Sequence, residues 1–325
     1  MSVLYIAASI IIILGLKFLS PVLIYLILSL FLTVLIYPII EFFEKRGFHI
    51  LIAYSIVAVM VVLIFGGMFL VMTSSLKEFL NNAAFYQEKL GRMFSDVNSY
   101  LNAYGIKFDI ASINIIPIIK SFLAKAGGIV SGFLVVFIGV SFMIFETKNF
   151  GKKLVYISKN KETFKLFFKN TQKYFIIKTF TSALTGVLIA LILIVFKVPY
   201  AFLFGIMAFV FNFIPVIGSI IAAIPAVLIA LITYDIKIAL YVTIGYLIVN
   251  NLVSNVIEPK IMGDGLDLSP AVVFFSLLFW GWVFGIVGMF LAAPLTMTLK
   301  LALLSSEKTK WLGILLSNKI RRIDG

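Results

Sequence analysis

Continuous apolar runs of 16 to 25 residues recur along this chain, and they leave few folds open. At 1.5 Å of rise per residue, a helix of that length matches a hydrocarbon core roughly 30 Å thick. Inside that core each backbone N–H and C=O must be paired, because no water is there to pair it. Composition agrees: 62% of residues are hydrophobic and 13% charged, where a soluble domain is about half apolar and a quarter charged. The expected fold class is all-α, a polytopic integral membrane protein with about six full spanning helices and two inverted re-entrant helical hairpins.

Taken in order, helices are expected at 3–19, 22–40 and 50–74, with Ser20-Pro21 making a tight turn and Glu41 to His49 a charged one. Residues 1–75 are read as scaffold, and 76–126 as an extracytoplasmic helical insert. Residues 127–178 hold a fourth membrane helix at 128–145 and a basic cytoplasmic amphipathic segment from 146. Residues 179–300 are read as one core unit: helices at 179–196 and 238–256, and apolar stretches at 199–233 and 270–300. The tail, 301–325, is basic and cytoplasmic. The first 20 residues lack the basic start and small-residue cleavage site of a signal peptide, so they are read as a membrane helix. With the N-terminus inside, 18 of the 27 Lys and Arg residues fall on the inner side and nine outside. That bias places both termini in the cytoplasm of a multi-pass protein of the plasma (inner) membrane.

The net charge of +13 therefore reflects membrane topology and not nucleic acid. Nine Lys interleave with Phe150, Phe164, Phe167, Phe168 and Phe175 over 146–178, a pattern suited to an anionic lipid leaflet. In the insert, Phe79, Ala83, Tyr86, Leu90, Met93, Val97, Tyr100 and Tyr104 repeat at spacings of mostly four and three. Such a stripe either joins copies of the chain, a homo-oligomer through 76–126 and helices 1–4, or lies on its own membrane domain. There are no cysteines, and the one histidine, His49, sits at a charged helix end. Neither a metal site nor a cofactor is expected. No zinc-protease, nucleophile-elbow or phosphate-loop motif is present. Asp235 and Asp264 faintly imitate an intramembrane aspartyl protease pair, but a spanning helix separates them. An enzyme is not expected.

The chemistry sits at two interruptions. From Pro199 to Phe211 there is about 20 Å of helix, too little to span, before Asn212, Pro215, Gly218 and Ser219. Pro270 to Trp280 is likewise short, and Gly281, Gly285 and Gly288 follow before Pro294. Paired short segments broken by Gly and Pro in two halves point to a transport site. Between them, Asn251, Ser254 or Asn255, and Glu258 share one face at spacings of three or four. Pro259 and Gly263 follow and complete the expected pathway lining. Glu258 is a candidate for ion coupling, with Asp235 as a second carboxylate, or a helix-end group paired with Lys260.

The pieces Val198-Pro199-Tyr200-Ala201, Asn212-Phe213-Ile214-Pro215-Val216-Ile217-Gly218, Ile224-Pro225-Ala226-Val227, Val256-Ile257-Glu258-Pro259-Lys260-Ile261-Met262-Gly263, Leu268-Ser269-Pro270 and Phe284-Gly285-Ile286-Val287-Gly288 with Ala293-Pro294-Leu295 resemble, in order and spacing, the autoinducer-2 exporter family of transporters. The resemblance implies membrane transport. Members of that family are assigned export of autoinducer-2 or sodium (lithium)/proton antiport, and a homo-oligomer is implied. This chain departs from the family pattern at Val216, Ser219 and Lys178. The expected function is secondary transport of a small solute by alternating access, as export of a small polar metabolite or an autoinducer-2-like signal. The alternatives are cation/proton antiport and a passive channel. The expected partners are a small-molecule or ion substrate, membrane lipids and further copies of the chain.

Overall fold

The computed structural model describes residues 2–103, 132–147, 161–215, 217–262, 268–306 and 308–317. Their regular structure is helical throughout: α1 (Ser2–Phe18), α2 (Ser20–Lys45), α3 (Ile50–Asn81), α4 (Ala83–Ala103), α5 (Gly132–Thr147), α6 (Lys161–Val195), α7 (Ala201–Phe211), α8 (Ile217–Thr233), α9 (Ile236–Asn251), a π-helical turn Leu252–Ile257, α10 (Glu258–Met262), α11 (Pro270–Phe290), α12 (Ala292–Leu304) and α13 (Lys310–Leu315). Among the described residues, five stretches are long and apolar enough to cross a membrane: Ser20–Lys45, Ile50–Asn81, Phe168–Val195, Ile236–Met262 and Pro270–Phe290. Side chains such as Phe142, Val195 and Ile286, each at least 70% exposed, suit lipid contact in a protein of this composition.

Three boundaries differ from those read in the sequence. Helix α3 continues to Asn81, because Phe79 is buried against α7–α9 and keeps that end of the helix packed. Helix α6 is unbroken from Lys161 to Val195, passing through residue 178 where charge density suggests a division. The charge at 178 is buried and paired instead of lying at a helix end. Helix α11 runs past Gly281 and breaks only at Gly285, so the second interruption lies further along than the cluster of glycines suggests.

Helices α6 to α9 share the largest core, built on Ile189, Leu193, Phe204, Ala208, Ala226, Ile229, Val242 and Tyr246. A second cluster joins α2, α3 and α5 through Ile40, Ala53, Val57, Val136 and Ile144. The hydroxyls add directed contacts there: Tyr54 and Ser141 hydrogen-bond to one another, and Ser29 Oγ donates to the Val136 carbonyl at 3.2 Å. Phe31 of α2 packs on Tyr174 and Phe175 of α6 and on Leu291, tying the first helices to the rest.

The insert stripe meets its own chain over the part described. Phe79, Ala83 and Tyr86 are buried, and Leu90 packs on the α6–α9 core. Tyr86 Oη lies 3.2 Å from Tyr200 Oη, Asn82 Nδ2 donates to Tyr200 Oη at 3.2 Å, and Lys89 Nζ donates to the Thr233 carbonyl at 3.1 Å. Burial, reinforced by the Tyr200 contact, pushes the Tyr86 phenol well above the usual tyrosine range. The side chains of Val97 and Tyr100, and all of Tyr104, lie outside the described residues.

Candidate functional site

Each interruption becomes a helical hairpin closed by a glycine against a carbonyl. At the first, α7 ends at Phe211 and turns through Asn212 to Pro215, with Ile214 N–H donating to the Phe211 carbonyl at 2.8 Å. Pro215 has no N–H to continue the helix. As α8 starts, Gly218 lies so close that a Cβ there would overlap the Phe211 carbonyl oxygen. At the second, Gly285 takes φ 64° and ψ −148°, a region essentially reserved for glycine. A Cβ on Gly288 would overlap the carbonyl oxygen of Trp280. The two halves thus repeat one tip geometry without repeating residues. The tips also meet: the Phe213 and Phe290 rings stack at 4.3 Å, and Ile214, Leu277 and Ala292 are buried together.

A cavity of about 850 Å³ opens beside the first tip. Asn212, Pro215 and Ser219 line it from the hairpin, and Asn251, Asn255 and Glu258 from the α9–α10 rod. The structure therefore brings together six of the expected residues, includes Ser254 as well as Asn255, and adds Asn250, Tyr174 and Lys178. Gly218 shapes the tip from behind, while Gly285 and Gly288 belong to the second tip and not to this cavity wall. Pro259 is exposed next to the lining, and Gly263 lies outside the described residues. Asp235 caps α9, accepting from Ile238 N–H at 2.9 Å. It stands 23 residues before Glu258, roughly 34 Å along a helix.

The shared face expected for Asn251, Asn255 and Glu258 is altered by the π-helical turn. Glu258 N–H bonds to the Val253 carbonyl, five residues back. One extra residue in a turn rotates everything after it by about 100° relative to an α-helix. The cause is local: Pro259 has no N–H, and its ring crowds the carbonyl one turn earlier. Glu258 is thereby swung onto α6, where Lys178 Nζ contacts its two oxygens at 2.9 and 3.1 Å. Thr181 Oγ1 donates to the same carboxylate at 3.4 Å. Lys178, and not Lys260, is the partner. Both side chains are largely withdrawn from solvent, at 7% and 16% exposure.

The same strip of α6 holds its other neighbours. Ser182 Oγ accepts from Asn212 Nδ2 at 3.0 Å, and Lys173 Nζ donates to the Met262 carbonyl at 2.9 Å. Asn255 Nδ2 donates to Asn251 Oδ1 at 2.9 Å, and Asn251 Nδ2 to the Leu247 carbonyl at 2.8 Å, so the amides form a chain along the wall. Sequence reasoning missed Lys178, Thr181 and Ser182. Their signal was the polar spacing Lys178, Thr181, Ser182, Thr185 on one face of an apolar helix.

The model of the AI-2E family transporters matches residues 6–308. A putative transport protein of Haemophilus influenzae is 36% identical over 330 residues, covering 96% of this chain and 95% of that protein. The AI-2 transport protein TqsA of Escherichia coli K12 is 28% identical over 320 residues, covering 95% and 93%. A putative transport protein of Borreliella burgdorferi is 33% identical over 241 residues, covering 70% and 65%. With the family match spanning nearly the whole chain and a cavity carrying a row of amides between its hairpin and helices, the chain belongs to the AI-2E family of transporters, as a multi-pass membrane protein that moves small molecules.

Proposed function

We propose that the protein is a secondary transporter of the plasma membrane that exports a small polar solute, of the kind an autoinducer-2-like signal represents, by alternating access. Both termini lie in the cytoplasm, and the two hairpins are re-entrant from opposite faces. They move with α9 against a scaffold of α1, α2, α3 and α5. Copies of the chain associate through that scaffold and residues 76–126. The observation that carries the reading is the cavity, which Asn212 of a hairpin tip lines together with amides of α9 and the π-turn. Neutral donors and acceptors in a membrane helix cost free energy unless they meet a cavity or a partner. Here they line space large enough for a metabolite, since ligand pockets run from about 300 to 1,000 Å³.

Reconstituted protein should accumulate or release a tracer solute in proteoliposomes. Asn212→Leu and Asn255→Leu should each abolish that flux while the protein still folds. Unchanged flux in both would remove the cavity from the pathway, and unitary currents in a bilayer would replace alternating access by a channel. Glu258 in the wall supports the cation/proton antiport reading. Asp235, a helix cap far from the cavity, gives it no second carboxylate. Flux that survives Glu258→Gln at every pH would count against antiport.

A further inference from the structure

We infer that Lys178 is a tethered cation: its ammonium occupies the place on Glu258 that a sodium or lithium ion would otherwise take, so solute movement needs no metal cation at that carboxylate. This rests on the reading of the cavity as the solute path. Three observations lead to it. First, Lys178 and Glu258 are the two charged residues among those lining the cavity, and they are paired with each other. The cavity is thus neutral as folded, without an added ion. Second, Nζ lies 2.9 and 3.1 Å from the two carboxylate oxygens, between both, as a bound cation would lie. Lys173, one turn earlier on α6, is directed to the Met262 carbonyl at the other end of α10 instead.

Third, the carboxylate has an oxygen neighbour besides the ammonium and sits where the helix is irregular: Thr181 Oγ1 donates to it at 3.4 Å, and Glu258 N–H reaches back five residues to the Val253 carbonyl. Irregular helix segments lining a cavity are where membrane transporters hold sodium. Here an amine carried by the chain stands at that carboxylate. Removing the amine leaves a buried carboxylate with no counter-charge, a strongly unfavourable arrangement. An alkali cation is then the group of right charge and size to relieve it.

The test uses the full-length protein in detergent, with thermal unfolding followed in NaCl, LiCl and choline chloride at equal ionic strength. The wild type should unfold at one temperature in all three salts. Lys178→Met and Lys178→Gln should each gain a rise specific to sodium or lithium, and adding Glu258→Gln should abolish it. Lys178→Arg, which keeps a tethered cation, should behave as the wild type. A sodium- or lithium-specific rise in the wild type overturns the inference, as does its absence from both neutral variants. Where tracer flux is measured, replacing NaCl by choline chloride should leave wild-type flux unchanged and lower that of Lys178→Met about tenfold, the loss expected when a required site falls to a tenth filled. A wild type without flux in any salt would refute the transport reading and leave the unfolding result to decide the cation.

Discussion

Replacing Gly218 or Gly288 by alanine tests whether the two hairpin tips share one closure. In each, the added methyl would land on a backbone carbonyl oxygen, of Phe211 or of Trp280. A carbonyl at the end of a helix cannot swing aside as a long side chain does, so the two arms must part. The next neighbours offer no room: Ile214 Cβ would lie 3.2 Å from the new atom at the first tip, and Phe284 Cβ 2.8 Å at the second. Overpacking of this kind costs about 1–3 kcal/mol. Alanine in place of glycine in a helix returns up to about 1 kcal/mol, so the net loss should be about 1–2 kcal/mol at either tip. Gly285→Ala should lose a similar ~1–3 kcal/mol by another route, because nothing lies within 4 Å of its Cβ yet its φ is 64°. Asparagine should not rescue it, since ψ of −148° lies outside the left-handed helical region that asparagine tolerates. Gly66→Ala is the control: it lies within α3 with nothing within 4 Å, and should stabilise by about 0.5–1 kcal/mol. The measurement is thermal unfolding in one detergent, with tracer flux in parallel. Gly218→Ala and Gly288→Ala proteins as stable and active as Gly66→Ala would refute the close packing of both tips.

A double-mutant cycle on Lys178→Met and Glu258→Leu, run in choline chloride, should give a large favourable coupling: each single change strands a largely buried charge at a cost of about 3 kcal/mol, and the double change recovers most of it. Coupling within experimental error of zero would show the pair to be solvated. Pro259→Ala restores an N–H and should let the π-turn tighten to α, bringing Ile261 to the shielded position now held by Met262. Since the chain has no cysteines, maleimide labelling of Ile261→Cys, 43% exposed in this structure, should slow in that background. Tyr86 is held protonated by burial, so its raised value makes its contribution full below the ordinary tyrosine range and lost as pH climbs above about 10. Alkaline destabilisation should therefore be smaller in Tyr86→Phe, a difference visible in unfolding temperature between pH 8 and 10.5.

The membrane class, the two interruptions and several of the cavity's polar side chains were legible because they depend on local properties: run length, Pro and Gly placement, and amides in apolar helices. Asn212 and Asn255 stand out in that way, and both line the cavity. What was not legible depends on long-range packing. Lys178 and Glu258 are 80 residues apart, and no periodicity joins them. Lys178 also closes a basic stretch, where one more lysine reads as another loop charge. The π-turn shows the same limit within nine residues. Asn251, Asn255 and Glu258 share a face only if the helix is regular, and Pro259, noticed as a breaker, acts by widening the turn before it. The heptad stripe was legible as a stripe, but not as to what it covers, because apolar periodicity gives the face and not the partner.

The contacts of α6 constrain how alternating access would work. Between Lys173 and Ser182 this helix holds Met262, Glu258 and Asn212, and its core with α7 to α9 is continuous. A movement of the first hairpin against α6 would have to break the Asn212–Ser182 bond and expose that core. A movement of α6 with the hairpin leaves all of these intact. The surface that slides is then the one where α6 meets α2, at Phe31 and Phe175, whose rings stand 5.4 Å apart, with the hydrogen bond from Gln172 Nε2 to the Val34 carbonyl at 3.4 Å to be released. On the opposite side the boundary falls between α4 and α8, where Lys89 and Tyr86 hold Thr233 and Tyr200. Those bonds cross the proposed boundary, so they must be released or their helix must travel too. A disulfide between Ile192→Cys and Gly245→Cys, which joins α6 to α9 away from the cavity where a Gly245 Cβ would lie 3.0 Å from Ile192 Cγ2, should therefore spare flux, whereas one between Phe31→Cys and Phe175→Cys should stop it. The opposite pattern would place α6 with the scaffold.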